Sequence, residues 1–317
     1  MESRESLSKK AALTGIILNV ILAVFKLLIG IISGSMAILA DGIDTSTDIF
    51  TSFLTLIAAK ISNKPADESH PYGHEKIEPV ITKILSIIII YAGFEVLLSS
   101  VKKLINKEYD ISNPELILAI SLFSLFIKFF LYRYKLSVGE KINSSSFIAD
   151  AKNMRNDILT SFSIFVGIII YYFTGTEFID SVLAIFVSFF ILKTGISLLL
   201  ETSDELMDGS KELGEIYKDC VEVAEKTSPD VKNPHKIRVR KAGFVYFIEM
   251  HLEVPENMTV KRANEISEQI EKNLKLKNIY IKDILIHFEP IGNKEIEEFG
   301  FDKNSIKEHF GGETDES

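Results

Sequence analysis

Long apolar segments dominate the first 200 residues of the chain. A helix needs about 20 apolar residues to cross a bilayer. Six segments approach that length, so the pattern predicts six membrane-spanning helices: Leu13–Ile32, Met36–Ile61, Val80–Val101, Leu116–Tyr132, Phe147–Phe173 and Phe178–Leu200. The breaks at Ser33–Ser35 and Thr174–Glu177 are short, and they predict that the first and last helix pairs form hairpins.

Beyond Leu200 the periodicity becomes that of a small globular domain. A charged helical segment precedes two alternating segments, which are joined at Ala242-Gly243 and followed by an amphipathic helix and a third strand. The two alternating segments, the helix and the last strand are His235–Lys241, Val245–Val254, Val260–Leu276 and Asp283–Glu289.

These patterns predict an α-helical membrane protein with six transmembrane helices, followed by a cytoplasmic α+β domain of αββαβ, metallochaperone-like order. We expect a transmembrane transport domain over residues 1–203 and an α+β domain over residues 204–292. Residues 293–317 form an acidic tail with three lysines and eight acidic residues, which we expect to be loosely ordered.

Composition narrows the function classes. The chain is 47% hydrophobic with a mean hydropathy of +0.20, which is high for a soluble protein. Its net charge of −9 gives no support for a nucleic-acid partner. The single cysteine, Cys220, excludes an intrachain disulfide and a multi-cysteine zinc site.

Positive charge predicts the orientation in the membrane. An even number of spans places both termini on one side, and nine basic residues flank the spans there against three opposite. The nine are Arg4, Lys9, Lys10, Lys60, Lys64, Lys76, Arg133, Lys135 and Lys141, and the three are Lys102, Lys103 and Lys107. We therefore expect a multi-pass protein with both termini in the cytoplasm, and the short loops favour a prokaryotic inner membrane.

Carboxylates interrupt the second predicted helix at one face. Asp41, Asp44 and Asp48 follow an i, i+3, i+7 spacing, and Asp150, Asn153 and Asp157 repeat it on the fifth helix. Carboxylates within a bilayer need a cation, either a metal ion or a proton. A duplicated polar stripe at matching positions indicates a central site in a transporter. The alternative is a pair of helices whose buried polar residues are satisfied structurally.

Other charged residues also fall inside the predicted spans, among them Lys26, Glu95, Lys128 and Asp180. The two lysines either pair with the carboxylates or extend to the membrane surface. Glu95 and Asp180 either line an aqueous path or make local helix–helix contacts.

Two clusters outside the spans have metal-ligand chemistry. Asp67, His70 and His74 lie in the loop after the second helix and suffice for a three-ligand divalent site, although a solvated polar loop is the alternative. His235, His251 and His287 fall on the three strands, and Glu289 shares a strand face with His287. Strand histidines are either structural or, as a set of three with a carboxylate, a second metal site.

Together these motifs resemble the cation diffusion facilitators over about residues 8–292. Six spans, Asp clusters on helices 2 and 5, the His-Pro-Tyr-Gly-His loop at 70–74 and a small α+β tail domain carry the resemblance. The resemblance implies a homodimeric, proton-coupled exporter of divalent metal ions. It assigns the transport site to Asp44, Asp48, Asn153 and Asp157, the loop site to Asp67, His70 and His74, and the tail site to His235, His251, His287 and Glu289.

Two positions depart from the zinc-transporting pattern. Those members typically have a histidine in the transport site, where this chain has Asn153. Carboxylate and amide oxygens suit Mn²⁺, whereas imidazole suits Zn²⁺. We therefore expect Mn²⁺ as substrate, then Fe²⁺, with Zn²⁺ or Cd²⁺ third. In bacterial zinc members the tail site holds two ions across the dimer interface, and one of the ligands is a histidine on the tail helix. This chain has Asn264 at that position, so the resemblance does not extend to full two-ion binding.

The sequence thus predicts a proton-coupled antiporter that exports Mn²⁺ or a similar ion and works as a homodimer in a lipid membrane. A membrane-anchored metal sensor without transport is the alternative, but such a sensor needs no ligands in the middle of the bilayer. An enzyme is not indicated, because we find no nucleophile–base set and no phosphate loop. The roles of Asp41 and Asp150 stay open between relay ligands and structural partners.

Overall fold

A computed structural model describes residues 4–62, 64, 66–108, 111–141, 145–176, 178–211, 213–293 and 299–310. Within these ranges the side chains of 4–6, 8, 9, 51, 52, 54–62, 145–150, 152, 153 and 156 lie outside the description. The chain divides into two compact units. One holds residues 1–57 and 81–200, and the other holds residues 58–80 and 201–317.

The first unit is built from long helices: α1 (Arg4–Ser33), α2 (Met36–Ser62), α3 (Ile77–Asn106), α4 (Pro114–Lys141), α5 (Ser145–Thr174) and α6 (Phe178–Leu206). Most of these helices extend beyond the apolar segments that predicted them. The apolar length reports the bilayer crossing, whereas a helix continues as long as its backbone is satisfied.

Five of these helices are long and apolar enough to span a membrane, as judged over the described residues: the α1 segment Lys10–Ser33, then α3, α4, the α5 segment Asp157–Thr174, and α6. Helix α2 lies outside this comparison, because the structure describes its side chains only over residues 36–50 and at residue 53, a segment too short to assess. The composition of the described residues therefore supports five of the six predicted spans.

The helices bury a shared apolar core and expose apolar side chains outward. Ile38, Ile117, Ile164 and Ile168 are fully enclosed, whereas many phenylalanines and isoleucines of the same helices are exposed. A large exposed apolar surface is stable only against lipid acyl chains or a partner protein. This distribution fits a bundle that sits in a membrane.

The second unit contains α7 (Gly214–Thr227), β1 (Lys232–Ala242), β2 (Val245–Val254), α8 (Val260–Lys277), β3 (Ile281–Pro290) and α9 (Lys303–Phe310). The sheet order is β1-β2-β3, with β1 antiparallel to β2 and β3 parallel to β2. Helix α8 supplies the crossover that parallel strands require. The predicted αββαβ order is confirmed.

Alternation along the strands separates the two sheet faces. Ile248, Met250 and Leu252 of β2 are buried in the same apolar cluster as Cys220 of α7 and Ile270 of α8. The opposite face of the sheet carries the alternate residues of β2 and β3, including His251, His287 and Glu289. The predicted metal-binding residues of the tail thus share the face that the helices leave uncovered.

Residues 299–310 were expected to be loosely ordered, and that expectation was wrong. Phe301 forms an antiparallel bridge with Ile237, with both N–H···O distances between 2.9 and 3.0 Å. The ring of Phe310, which is 3% exposed, stacks on Tyr217 of α7 at 5.4 Å. Apolar residues spaced within a mostly charged segment therefore suffice to fix this part of the tail.

Candidate metal sites

The predicted transport residues lie on α2 and α5, where the structure describes three of the four side chains. Asp44, Asp48 and Asp157 interact electrostatically with one another and with Lys128 of α4. Asn153 lies in α5, but its side chain is outside the description, as is that of Asp150. Among the described residues, Asp44, Asp48 and Asp157 are not one of the groups whose ligand atoms all lie within 4.8 Å of one another.

Asp41 has two lysine partners and a hydroxyl partner. Its carboxylate lies 2.7 Å from Lys26 Nζ and 3.4 Å from Lys128 Nζ, and Ser161 Oγ donates to it at 3.4 Å. Of the alternatives left open for Asp41, Lys26 and Lys128, the structure therefore supports pairing of the aspartate with both lysines. A buried ion pair loses its contacts with water, so its polar atoms need hydrogen-bond or charged partners within the protein.

Asp180 caps the first turn of α2. Its carboxylate accepts hydrogen bonds from Ser35 Oγ at 2.5 Å, from Met36 N at 2.7 Å and from Ala37 N at 3.3 Å. A carboxylate at a helix N-terminus satisfies free amide groups and complements the helix dipole. Asp180 therefore makes local helix–helix contacts, which is one of the two alternatives predicted for it. Glu95, in contrast, is exposed on α3.

The loop cluster lies in the second unit and brings its three predicted ligands together. Ligand atoms of Asp67, His70 and His74 all lie within 4.8 Å of one another. The backbone amide of His70 donates to Asp67 at 2.7 Å, and this bond is the main reason that the pKa of Asp67 lies below its ordinary value. Asp67 is therefore held as an ionised ligand at neutral pH.

One nitrogen of the loop cluster has no protein partner. Nδ1 of His74 is buried and makes no hydrogen bond, which is unusual among the described side chains. A buried polar atom without a partner is unfavourable by about 1–3 kcal/mol. A metal ion or a water molecule would satisfy it, and this fits the chemistry of a divalent site.

In the tail cluster, Glu289 lies between histidines from two neighbouring strands. Its Oε1 is 2.5 Å from His251 Nδ1, and its Oε2 is 3.5 Å from His235 Nε2. Ligand atoms of these three residues lie within 4.8 Å of one another. Burial disfavours the ionised carboxylate, but hydrogen bonds from His251 and Asn293 outweigh it and hold the pKa of Glu289 below its ordinary value.

Two irregularities in β1 aim His235 at this cluster. Register shifts flank His235 on both sides, and Asn233 and Lys236 have positive φ angles of 43° and 46°. His235 Nδ1 hydrogen-bonds the Asn233 carbonyl at 2.8 Å, which leaves Nε2 free to bind a metal. Such a backbone bond to the second ring nitrogen is a common way to orient a metal-binding histidine.

His287 and Asn264 are less involved. The ring centroid of His287 is 4.7 Å from that of His251, but its Nε2 is 3.7 Å from Glu289 and its side chain is 61% exposed. It therefore lies at the edge of the cluster and outside the compact three-residue group. Asn264 donates to Glu268 on its own helix at 2.8 Å, so its amide is engaged within α8.

Sequence reasoning missed the residues that hold the loop. Lys282 of β3 donates to the Tyr72 carbonyl at 2.9 Å and pairs with Glu75, whose side chain is buried. The Arg240 guanidinium lies 5.0 Å from the Tyr72 ring and 5.2 Å from the Phe247 ring. No sequence signal links these positions, because about 200 residues separate the loop from β3.

Helical spans with paired acidic stripes, together with a tail domain that clusters histidines, define a metal-cation transporter. The family model described as the cation efflux transmembrane domain matches residues 12–207, and that of the cation efflux protein cytoplasmic domain matches residues 213–291. The chain belongs to the cation diffusion facilitator family. It is a metal efflux transporter and not an enzyme.

Among individual relatives, the chain is similar to the manganese efflux system proteins MneP and MneS of Bacillus subtilis (strain 168). The match to MneP is 31% identical over 90% of this chain and 97% of MneP, and that to MneS is 30% identical over 93% and 100%. The solved metal-bound C-terminal domain of the CzcD transporter from Thermotoga maritima is 43% identical over 26% of this chain and 93% of that chain, with a TM-score of 0.25.

Proposed function

We propose that this transporter exports Mn²⁺ from the cytoplasm in exchange for protons. The observation that carries the proposal is the ligand chemistry of the α2–α5 site, where Asp44, Asp48, Asn153 and Asp157 offer oxygen atoms and no imidazole. Hard oxygen donors favour Mn²⁺ over Zn²⁺ relative to sites that include nitrogen or sulfur. The names of the two manganese efflux relatives support the same substrate.

Proton exchange follows from the same chemistry. Carboxylates must be ionised to bind a divalent ion, so metal and protons compete for Asp44, Asp48 and Asp157. Binding from the cytoplasm and release after protonation from outside would couple the two fluxes, with alternating access provided by movement of the helices.

The loop and tail clusters are proposed as cytoplasmic metal sites that respond to metal load. The loop ligands are Asp67, His70 and His74, and the tail ligands are His235, His251 and Glu289 with His287 at the edge. The transporter works as a homodimer in the inner membrane, with the tail domain and both termini in the cytoplasm. A fluorescent protein fused after Ser317 tests that orientation, because it should fluoresce only if it folds in the cytoplasm.

Uptake into proteoliposomes under an imposed pH gradient tests the transport proposal. Mn²⁺, Fe²⁺, Zn²⁺ and Cd²⁺ are compared for the wild-type protein and for Asn153→His. We expect strong Mn²⁺ uptake by the wild type and a shift towards Zn²⁺ in the variant. Asn106→His, which adds an imidazole at an exposed position on α3, should leave the metal order unchanged.

The outcomes separate the candidate functions. A wild-type preference for Zn²⁺ would show that ligand type does not set selectivity. Metal uptake without a pH gradient, at an unchanged rate, would count against proton exchange. Absence of flux for all four ions would favour a membrane-anchored sensor instead.

A further inference from the structure

Two lysines are enclosed in the transmembrane unit beside a single aspartate. The side chains of Lys26 on α1 and Lys128 on α4 are 0% and 4% exposed, and that of Asp41 on α2 is 1% exposed. Both ammonium groups contact Asp41, at 2.7 Å and 3.4 Å. We call these three residues the lysine triad. One carboxylate neutralises only one ammonium group, so the triad itself carries an excess positive charge.

The two lysines are not equivalent in what they face. Lys26 is directed to α2, where Nζ also donates to Thr45 Oγ1 at 3.0 Å. Lys128 Nζ is 3.5 Å from the Asp157 carbonyl on α5, and beyond Asp41 its strongest interactions are with Asp44, Asp157 and Asp48. The excess charge of the triad is therefore presented to the proposed transport site through Lys128.

Charge balance gives this arrangement a consequence. Among the described side chains of α2 and α5, four aspartates carry negative charge: Asp41, Asp44, Asp48 and Asp157. Lys26 and Lys128 neutralise two of these charges, and Lys135 also acts on Asp48. A single divalent cation is therefore enough to complete the neutralisation, whereas a second ion would leave a net positive charge in a low-dielectric region, which is strongly unfavourable.

We propose that Lys128 is a fixed counter-cation of the transport site that limits how tightly the site holds a divalent ion. This inference rests on the proposed transport function. When the ion leaves, Lys128 continues to neutralise one of the carboxylates, so that protons have fewer of them to neutralise in the membrane. When the ion is bound, repulsion from Lys128 keeps the affinity low enough for turnover.

The test is Mn²⁺ binding to the full chain in detergent, in a background in which the other two clusters are disabled. That background carries His70→Ala, His74→Ala, His235→Ala and His251→Ala. In it, Lys128→Met should tighten the dissociation constant for Mn²⁺ by about tenfold or more, because a unit charge a few ångströms from the site is removed. In proteoliposomes the same substitution should lower both KM and the maximal rate of Mn²⁺ uptake.

Two substitutions separate charge from packing. Lys128→Arg keeps the positive charge and should keep the affinity near that of the background protein. Lys26→Met removes an equal charge from the triad but away from Asp157 and Asp48, so its effect should be several times smaller. Asp41 retains one lysine partner in either neutral variant. Lys128→Gln, which keeps a hydrogen-bond donor, replaces Lys128→Met if that variant is not monodisperse.

The inference is overturned if Lys128→Met leaves the Mn²⁺ affinity unchanged or weakens it, or if Lys128→Arg shifts the affinity equally. Asp157→Asn in the same background distinguishes this failure from that of the transport site. If Asp157→Asn abolishes binding while Lys128→Met has no effect, only the counter-cation role fails. If binding survives Asp157→Asn, the transport-site assignment fails and the inference falls with it.

Discussion

Cys220 lies in the apolar core of the tail domain, where its thiol is fully buried on α7. Burial is the main cause that raises the pKa of this thiol to about 12. Because the thiolate is the reactive form, we expect no alkylation of Cys220 by iodoacetamide at pH 8 in the folded protein and complete alkylation in denaturant. Mass spectrometry of the full chain measures both.

A partly exposed position on the same helix provides the control. The side chain of Asp219 is 28% exposed, so the added thiol in Asp219→Cys should react within minutes under the same conditions. If Cys220 in the folded protein reacts as fast as that added thiol, the tail domain opens more readily than its packing indicates.

Glu289 gives the tail domain a defined dependence on pH. Its pKa in the folded protein lies below its ordinary value of 4.5, so its stabilising contribution is complete above about pH 4.5 and is lost as pH falls through the folded-state value. We expect Glu289→Gln to lower the unfolding temperature of the metal-free protein at pH 6. The difference between the two proteins should shrink on acidification and vanish below the folded pKa.

Scanning calorimetry of both proteins in detergent between pH 6 and pH 3 measures this difference. The difference isolates Glu289 from the other carboxylates that titrate in the same range. A constant difference at every pH would show that the substitution acts through packing and that the ionised carboxylate does not matter.

Strand alternation was enough to place some site residues but not all. The spacing of His287 and Glu289 predicted a shared strand face, and the structure puts both on the face opposite the helices. His235 reaches the same cluster only because two register shifts rotate it. Such bulges depend on positive φ values at Asn233 and Lys236, and neither residue signals a bulge by type alone.

At the scale of elements, apolar length predicted the crossings better than the helix ends. Helix α4 runs to Lys141, nine residues beyond the predicted end at Tyr132. The added turns carry charged residues that a bilayer excludes, although a helix in water accepts them readily. Hydropathy therefore predicts which part of a helix lies in the bilayer, but it does not predict the residue at which the helix ends.

Helix α9 lies in a charged segment that we expected to be loosely ordered. The tail is rich in acidic residues, yet Ile306 and Phe310 are 2% and 3% exposed against the tail domain. We expect Phe310→Ala to destabilise the tail domain by about 3 kcal/mol, because a buried aromatic side chain leaves a cavity. Phe299→Ala is the matched control, since Phe299 is 82% exposed and its loss should change stability by less than about 0.5 kcal/mol.

Thermal unfolding of the full chain, followed by circular dichroism, compares these two variants. Equal unfolding temperatures for Phe310→Ala and Phe299→Ala would mean that the last helix contributes little to the fold. A larger loss for Phe310→Ala would show that residues 299–310, which lie beyond the matched cytoplasmic domain, are an integral part of this tail.

At the scale of the whole molecule, the loop cluster belongs to the same compact unit as the tail domain. The loop is adjacent in sequence to α2 and α3, and periodicity gave no reason to group it with strands 200 residues away. The contacts of Lys282 and Arg240 create this grouping, and they depend on tertiary proximity alone. The family resemblance supplied the ligand sets, but it did not supply the residues that support them.

Those contacts predict that a strand residue controls the metal affinity of the loop. Glu75 follows His74 directly and is buried, so Lys282→Met removes an ammonium group that pairs with its carboxylate. Rearrangement of Glu75 towards solvent would displace His74. We expect divalent-ion binding at the loop to weaken by about 1–3 kcal/mol, the usual range for the loss of a hydrogen bond to a charged group. Lys272→Met, at an exposed position on α8, should leave it unchanged.

A double-substitution cycle separates this pairing from a general loss of charge. Binding is titrated with Zn²⁺ in a background of Asp157→Asn and His251→Ala, so that the loop dominates the signal. Glu75→Gln with Lys282→Met removes both members of the pair and should recover at least half of the lost affinity, because no charge remains unpaired. If the double variant binds as weakly as Lys282→Met alone, Lys282 acts through the Tyr72 carbonyl. If Lys282→Met binds normally, the loop holds its ligand geometry without the sheet.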